Sequence, residues 1–154
     1  MEQNNPKKVR NYILSTFLKN FKKIEPYYFW PNDKFYPKFE AELKRVLDDK
    51  NTTVIITSDR QLTTPYGGPF NLESYDQIYG WAIGGMVEGK AVLHSIYVSK
   101  VHQRQGHGQQ LLSMLYKHLE SPKELELRYA TSSIFKFTKK IMREEKCRVF
   151  VNTD

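Results

Sequence analysis

The chain has one cysteine, Cys147, so no disulfide can close within it. That agrees with a reducing compartment. No apolar run approaches the roughly 18 residues of a membrane span. The start, MEQNNPKKVRNYIL, has neither the long apolar stretch nor the small-residue cleavage site of a secretory signal. Four histidines fall without metal-ligand spacing, which predicts no metal site. There is no internal repeat, low-complexity tract or interior linker. These absences lead us to expect a soluble, cytoplasmic chain with no membrane partner, folded as one domain over residues 1–154.

What is present is a core. The chain is 40% hydrophobic and 14% aromatic, too apolar to be disordered, and its length suits one domain of common size. The net charge of +7 is unevenly placed. Residues 1–50 hold eleven Lys/Arg against seven Asp/Glu, residues 51–120 five against five, and residues 121–154 eight against five. Basic ends attract nucleic acid, an acidic protein or an anionic cofactor. Solvated helix faces account for the same pattern, because most of these cations fall at helical spacing beside acids.

The hydrophobic period changes along the chain. NYILSTFLKNFKKI (11–24) places Ile13, Leu14, Phe17, Leu18 and Phe21 on a helical stripe. EPYYFWPNDKFYPKF (25–39), with three prolines and seven aromatics, reads as too proline-broken for a regular element, its rings packed on a core or lining a groove. The helical period resumes over 37–50, with Pro37 in the first turn. TTVIITS (52–58) is a β-branched strand, and 61–76 a long loop of the kind that carries function. Residues 77–99 predict a hairpin turning at EGK (88–90), and 108–120 a helix. A strand follows at 124–130, then a helix over 131–146 opened by a Thr/Ser cap, then a strand at 147–151. Hairpin strands followed by strand–helix–strand units predict an α/β fold, with a mixed sheet and helices packed on it.

The turn QRQGHG (103–108) joins the strand AVLHSIYV to a helix. A helix N-terminus has unpaired N–H groups and a partial positive charge, and glycine lets backbone approach an anion closely. Gly106 and Gly108 therefore suit a diphosphate cradle, with Arg104 adding a charge-assisted contact; a tight turn with no ligand has the same spelling. No Lys-Ser/Thr follows the second glycine, which excludes a P-loop. Two glycines, late in the chain and behind a hairpin, do not make a dinucleotide fingerprint.

Here the sequence resembles the GNAT superfamily of acetyl-CoA-dependent N-acetyltransferases. The motif Q/R-x-x-G-x-G/A after an apolar strand is met by Gln103 to Gly108 after Leu93–Val98. IYGWAIGG (78–85) is similar to the family's third strand, and LELRYATSSIFKFTKK (125–140) to its second signature; together the likeness covers 52–151. QIYGWAI and LHSIYV are also similar to stretches of small bacteriophage-encoded members, which would place the protein in a host cytoplasm. The resemblance implies a central mixed β-sheet flanked by helices, with the family's fourth and fifth strands splayed so that the pantetheine arm of acetyl-CoA enters between them. Strand groups at Ile96, Tyr97 and Val98 would hold that arm, and Gln103, Arg104, Gln105, Gly106, His107, Gly108 and Gln109 the pyrophosphate. Thr131 takes the position of the usual asparagine. A deprotonated primary amine attacks the acetyl group directly, without an enzyme nucleophile.

The departures fall where proton transfer is decided. Thr138 takes the place of the family's tyrosine acid, and Tyr129 is the substitute on offer. The usual glutamate base falls near Val92; His94 is the nearest titratable replacement, or else a core histidine bonded to backbone. Glu73 and Asp76 are further bases, while His102 and His118 read as surface residues. With no strand before residue 11 and no room after 151, the sheet would have open edges, which predicts a homodimer. The acceptor implied is a protein, an amino sugar or another small amine. The alternative is an inactive binding module that turns its basic ends to nucleic acid or an acidic protein.

Overall fold

The computed structural model describes residues 6–24, 26–58, 78–129 and 134–151. In order come α1 (Pro6–Lys22), a 3-10 turn (Tyr27–Phe29), α2 (Asn32–Asp48), β1 (Thr52–Ser58), β2 (Ile78–Val87) and β3 (Lys90–Val98). A second 3-10 turn (Lys100–His102) leads into α3 (His107–His118), followed by β4 (Glu124–Leu127), α4 (Ile134–Glu144) and β5 (Arg148–Val151). The strands form a mixed sheet in the order β1-β2-β3-β4-β5. The first three pair antiparallel and the last two join in parallel. The β2–β3 turn has both central residues at positive φ, Glu88 at 53° and Gly89 at 80°, the twist a two-residue hairpin requires.

Alternation along the strands makes two cores. Ile55, Ala82, Leu93, Ile96, Val98, Leu125 and Leu127 face α3 and α4. Val54, Ile56, Trp81 and Ile83 face α1 and α2 on the other side. The second core is aromatic. Phe21 packs on Phe17 at 5.4 Å and on Phe39 at 5.1 Å, and Tyr27 lies 4.9 Å from Phe39. Ring pairs of this kind contribute about 0.5–1.5 kcal/mol each beyond the area they bury. Trp81 Nε1 donates to Thr16 Oγ1 at 2.9 Å, which satisfies the indole and pins α1 to β2.

The prolines of 26–37 do not break the chain as their spacing suggests. Pro31 caps α2, and Pro37 lies inside it. Extending the helix back to Asn32 puts Phe35 and Phe39, both almost wholly buried, on one inward face with Leu43 and Leu47. That burial outweighs the hydrogen bond Pro37 removes. Likewise α1 begins at Pro6, ahead of the expected start, and β4 stops at Leu127 rather than 130.

The two glycines of the turn differ in what they serve. Gly106 has a φ of 85° and open space where a Cβ would be. Gly108 is buried in the first turn of α3, and a Cβ there would overlap the Phe137 ring of α4. Gly108→Ala should therefore lose about 1–3 kcal/mol of stability by overpacking, with part regained in Gly108→Ala/Phe137→Leu. Gly106→Ala should lose about 1–2 kcal/mol whatever occupies position 137. Denaturant unfolding of these variants, of Phe137→Leu and of Gly106→Ala/Phe137→Leu beside the wild type checks both; no rescue by Phe137→Leu would refute the packing account of Gly108.

Candidate functional site

The site begins where β4 parts from β3. Their parallel register holds at Val92↔Glu126 and Leu93↔Leu127. Arg128 N–H then donates to Leu93 O at 3.1 Å and Tyr129 N–H to His94 O at 3.0 Å. Successive carbonyls face one way because β3 is bulged: Ile83 pairs with Ser95 and Gly84 with Leu93, leaving His94 as the extra residue. Beyond it, Ser95–Val98 pair with β2, and no strand among the described residues pairs on the other side. Ser99 N–H donates to Tyr79 O at 2.8 Å, which sets the phase of the antiparallel ladder. By alternation Ser95 and Tyr97 bond to β2, while the amide groups of Ile96 and Val98 turn to the open side. Gln103 Nε2 donates to Val98 O at 3.1 Å, so Ile96 N–H, Ile96 O and Val98 N–H are left facing the fork.

Past the end of β3 the chain makes its tight turn. Residues 103–106 are exposed, with Arg104 at φ 66° and Gly106 at φ 85°. Gly106 caps α3 without a side-chain bond, and no acidic residue occupies the first helical turn. The first intrahelical bond runs from Gln110 N–H to Gly106 O, 3.0 Å, so the amides of His107, Gly108 and Gln109 precede it. An uncapped, carboxylate-free helix start beside an exposed arginine suits a polyanion such as a diphosphate. The flanking side chains brace the turn. Gln109 Nε2 donates to Phe137 O at 3.1 Å. His102 stacks on Tyr79 at 3.8 Å and meets Ser99 Oγ at 2.6 Å, so it is not the plain surface residue its position suggests. His107 also packs on Tyr79 and contacts Gln105 Oε1 at 3.2 Å. Burial lowers its pKa, and the charge of His102 adds to that.

On the α1/α2 face of the fork stand both residues expected to move protons. His94 is 3% exposed and its Nδ1 is buried with no partner. Burial pushes its pKa down to about 4; Arg128 pushes the same way, and Asp49 and Glu126 push back more weakly. Glu126, buried, pairs with Arg128 at 2.7 Å. Tyr129 has its ring against Phe17 at 5.2 Å and Phe21 at 5.4 Å, and its hydroxyl donates to Glu42 Oε1 at 2.9 Å. Burial first, and then the Glu42 carboxylate, raise the phenol's pKa far above its ordinary value. Tyr97 turns its ring to the same face, 5.7 Å from Trp81. Beside it, burial and then Tyr97 raise the Tyr12 phenol to about 12.

Val92 is fully buried and Thr138 is buried with its Oγ1 on Phe135 O at 3.2 Å. Thr131, Glu73 and Asp76 lie outside the described residues. Glu42 was absent from the sequence reading; nothing in its local pattern distinguishes it, since its tie to Tyr129 spans 87 residues. Among the described residues no helix is long and apolar enough to cross a membrane.

The acetyltransferase (GNAT) family model matches residues 22–133, well over half the chain. Solved structures give fainter likenesses. An aminoglycoside acetyltransferase from an uncultured soil metagenomic sample, in complex with sisomicin, aligns at 16% identity and a TM-score of 0.42, over 94% of this chain and 70% of that one. AAC(6')-Iy in complex with the bisubstrate analog CoA-S-monomethyl-acetylneamine aligns at 16% identity and a TM-score of 0.42, over 84% and 80%. No curated protein matches the sequence significantly.

The burial of His94 has a measurable consequence. Its pKa near 4 in the fold lies below the ordinary 6.5, so unfolding takes up a proton between those values. The stability gained by keeping the ring neutral is complete above pH 6.5 and is lost as pH falls to 4, about 3 kcal/mol in all. His94→Gln should flatten the unfolding free energy across that window. An unchanged pH dependence in the variant would refute it.

Proposed function

Because the chain belongs to the acetyltransferase (GNAT) family, we propose that it transfers the acetyl group of acetyl-CoA to a primary amine by direct attack within a ternary complex. The observation that carries this reading is the conjunction at one end of β3: an unpaired strand edge at Ile96–Val98, followed within a few residues by the uncapped N-terminus of α3. One feature suits the amides of a pantetheine arm and the other a diphosphate, in the order a coenzyme A would meet them. When bound, acetyl-CoA supplies an acetyl group activated as a thioester.

The protein's part is to bind and orient. Backbone amides of Arg104 to Gln109 would hold the pyrophosphate, with the Arg104 side chain beside them. Ile96 N–H, Ile96 O and Val98 N–H would fix the arm along the edge of β3, as an added strand is fixed. Holding donor and acceptor together, with oriented donors at the fork, would supply most of the acceleration. His94 is neutral at physiological pH and its Nδ1 has no hydrogen-bond partner, though the lowered pKa makes the ring a weak base. Tyr129 keeps its phenolic proton, donated at rest to Glu42 Oε1, and the raised pKa makes it a weak acid. In this reading His94 takes the proton from the amine and Tyr129 protonates the leaving thiolate. Cys147 plays no part: it is buried in the α3/α4 core and burial raises its thiol pKa.

Gly106→Asp separates the cradle from the fold. Aspartate tolerates the left-handed conformation and caps a helix well, so folding should be kept. Its carboxylate would stand where a phosphate is expected. Calorimetric titration should show acetyl-CoA binding to the wild type and at least tenfold weaker binding to the variant. No binding by the wild type would remove the transferase reading.

A further inference from the structure

The transfer reading leaves its acceptor open, and one side-chain group beside the fork narrows it. Glu42 lies on α2 with its side chain 24% exposed. One oxygen, Oε1, accepts from the Tyr129 hydroxyl at 2.9 Å, and Tyr129 is the residue whose N–H makes the last bond to β3 among the described residues. The other, Oε2, receives Lys38 Nζ at 2.8 Å. That ammonium also lies 5.3 Å from the centroid of the Phe39 ring, and Phe39 in turn packs edge-on to Tyr129 at 6.4 Å. A carboxylate oxygen and an aromatic face each attract a primary ammonium.

The pair contributes little to the helix that carries it. Lys38 precedes Glu42 by four residues, the less favourable order for an ion pair along a helix, and the lysine is half exposed. Glu42 is instead held from the other side, by a phenol that reaches it from the sheet. Resting on the transfer reading, we propose that Glu42 Oε2 and the Phe39 ring form the acceptor-ammonium subsite, occupied at rest by Lys38 and taken over by the substrate. The resident is an ammonium on a flexible methylene arm. The acceptor class that fits is therefore an aliphatic primary amine, such as a lysine side chain, rather than an amino group fixed on a sugar ring.

The test is calorimetric titration of Nα-acetyl-lysine methylamide and, separately, glucosamine into the wild type, Glu42→Gln and Lys38→Met, with circular dichroism on each protein. Glu42→Gln should weaken binding of the lysine derivative at least tenfold. Lys38→Met should strengthen it at least threefold by removing the resident ammonium, a gain that no merely structural role of the pair would give. Affinities indifferent to both substitutions, or no binding of either amine even to Lys38→Met, would overturn the subsite. Equal affinity for glucosamine would overturn the alkyl arm. Acetyl-CoA titrated in parallel keeps the two readings apart. Glu42-dependent amine binding without acetyl-CoA binding leaves the subsite standing and removes the transfer, and the converse leaves the transfer and removes the subsite.

Discussion

Everything at the site depends on the hydrogen bond from Tyr129 N–H to His94 O. Among the described residues it is the last tie between β3 and the chain of β4, and it exists because the bulge at His94 turns a second successive carbonyl toward β4. Without the extra residue that carbonyl would face β2, and the separation would begin one residue earlier. With it, the strands are held to a defined point and then released. The open edge at Ile96 and Val98, the approach to the turn and the position of Tyr129 are all measured from there.

Tyr129 joins the layers as well as the strands. Its main chain belongs to the sheet, while its ring fills the aromatic core between α1 and α2 and its hydroxyl reaches Glu42. The helices on that face and the fork are thus one mechanical unit. On the opposite face, the fit of Phe137 against Gly108 and the Gln109 bond to Phe137 O dock α4 onto the first turn of α3. The two faces of the fork are thus built on separate cores, α3 and α4 on one side of the sheet and α1 and α2 on the other.

The order of elements was legible because the hydrophobic period changes sharply, from the β-branched TTVIITS to the helical LLSMLY. The turn QRQGHG carried the resemblance to the family only together with the hairpin before it and the stretch 125–140 after it, and the family model over residues 22–133 bears that resemblance out. Misreadings came wherever a distant residue decides a local matter. Pro37 reads as the first turn of a helix that in fact begins at Asn32, as the burial of Phe35 requires. At Gly108 a ring 29 residues later adds a steric demand for glycine that no local spelling shows. His94 could be singled out as titratable, but its neutrality comes from burial and from Arg128, which no spacing reveals. Glu42 had no signal at all, because its meaning lies in a contact between α2 and the end of β4.

A strand edge left open inside a sheet is also an invitation to the wrong guest. Another polypeptide could add itself there as readily as a coenzyme, and such edges seed aggregation. Gln103 limits that hazard. By occupying Val98 O it removes the last acceptor of the row, and the bulge at His94 closes the row from the other end. What is left is a gap of one residue's donor and acceptor and one further donor, too short for a foreign strand to lengthen its ladder.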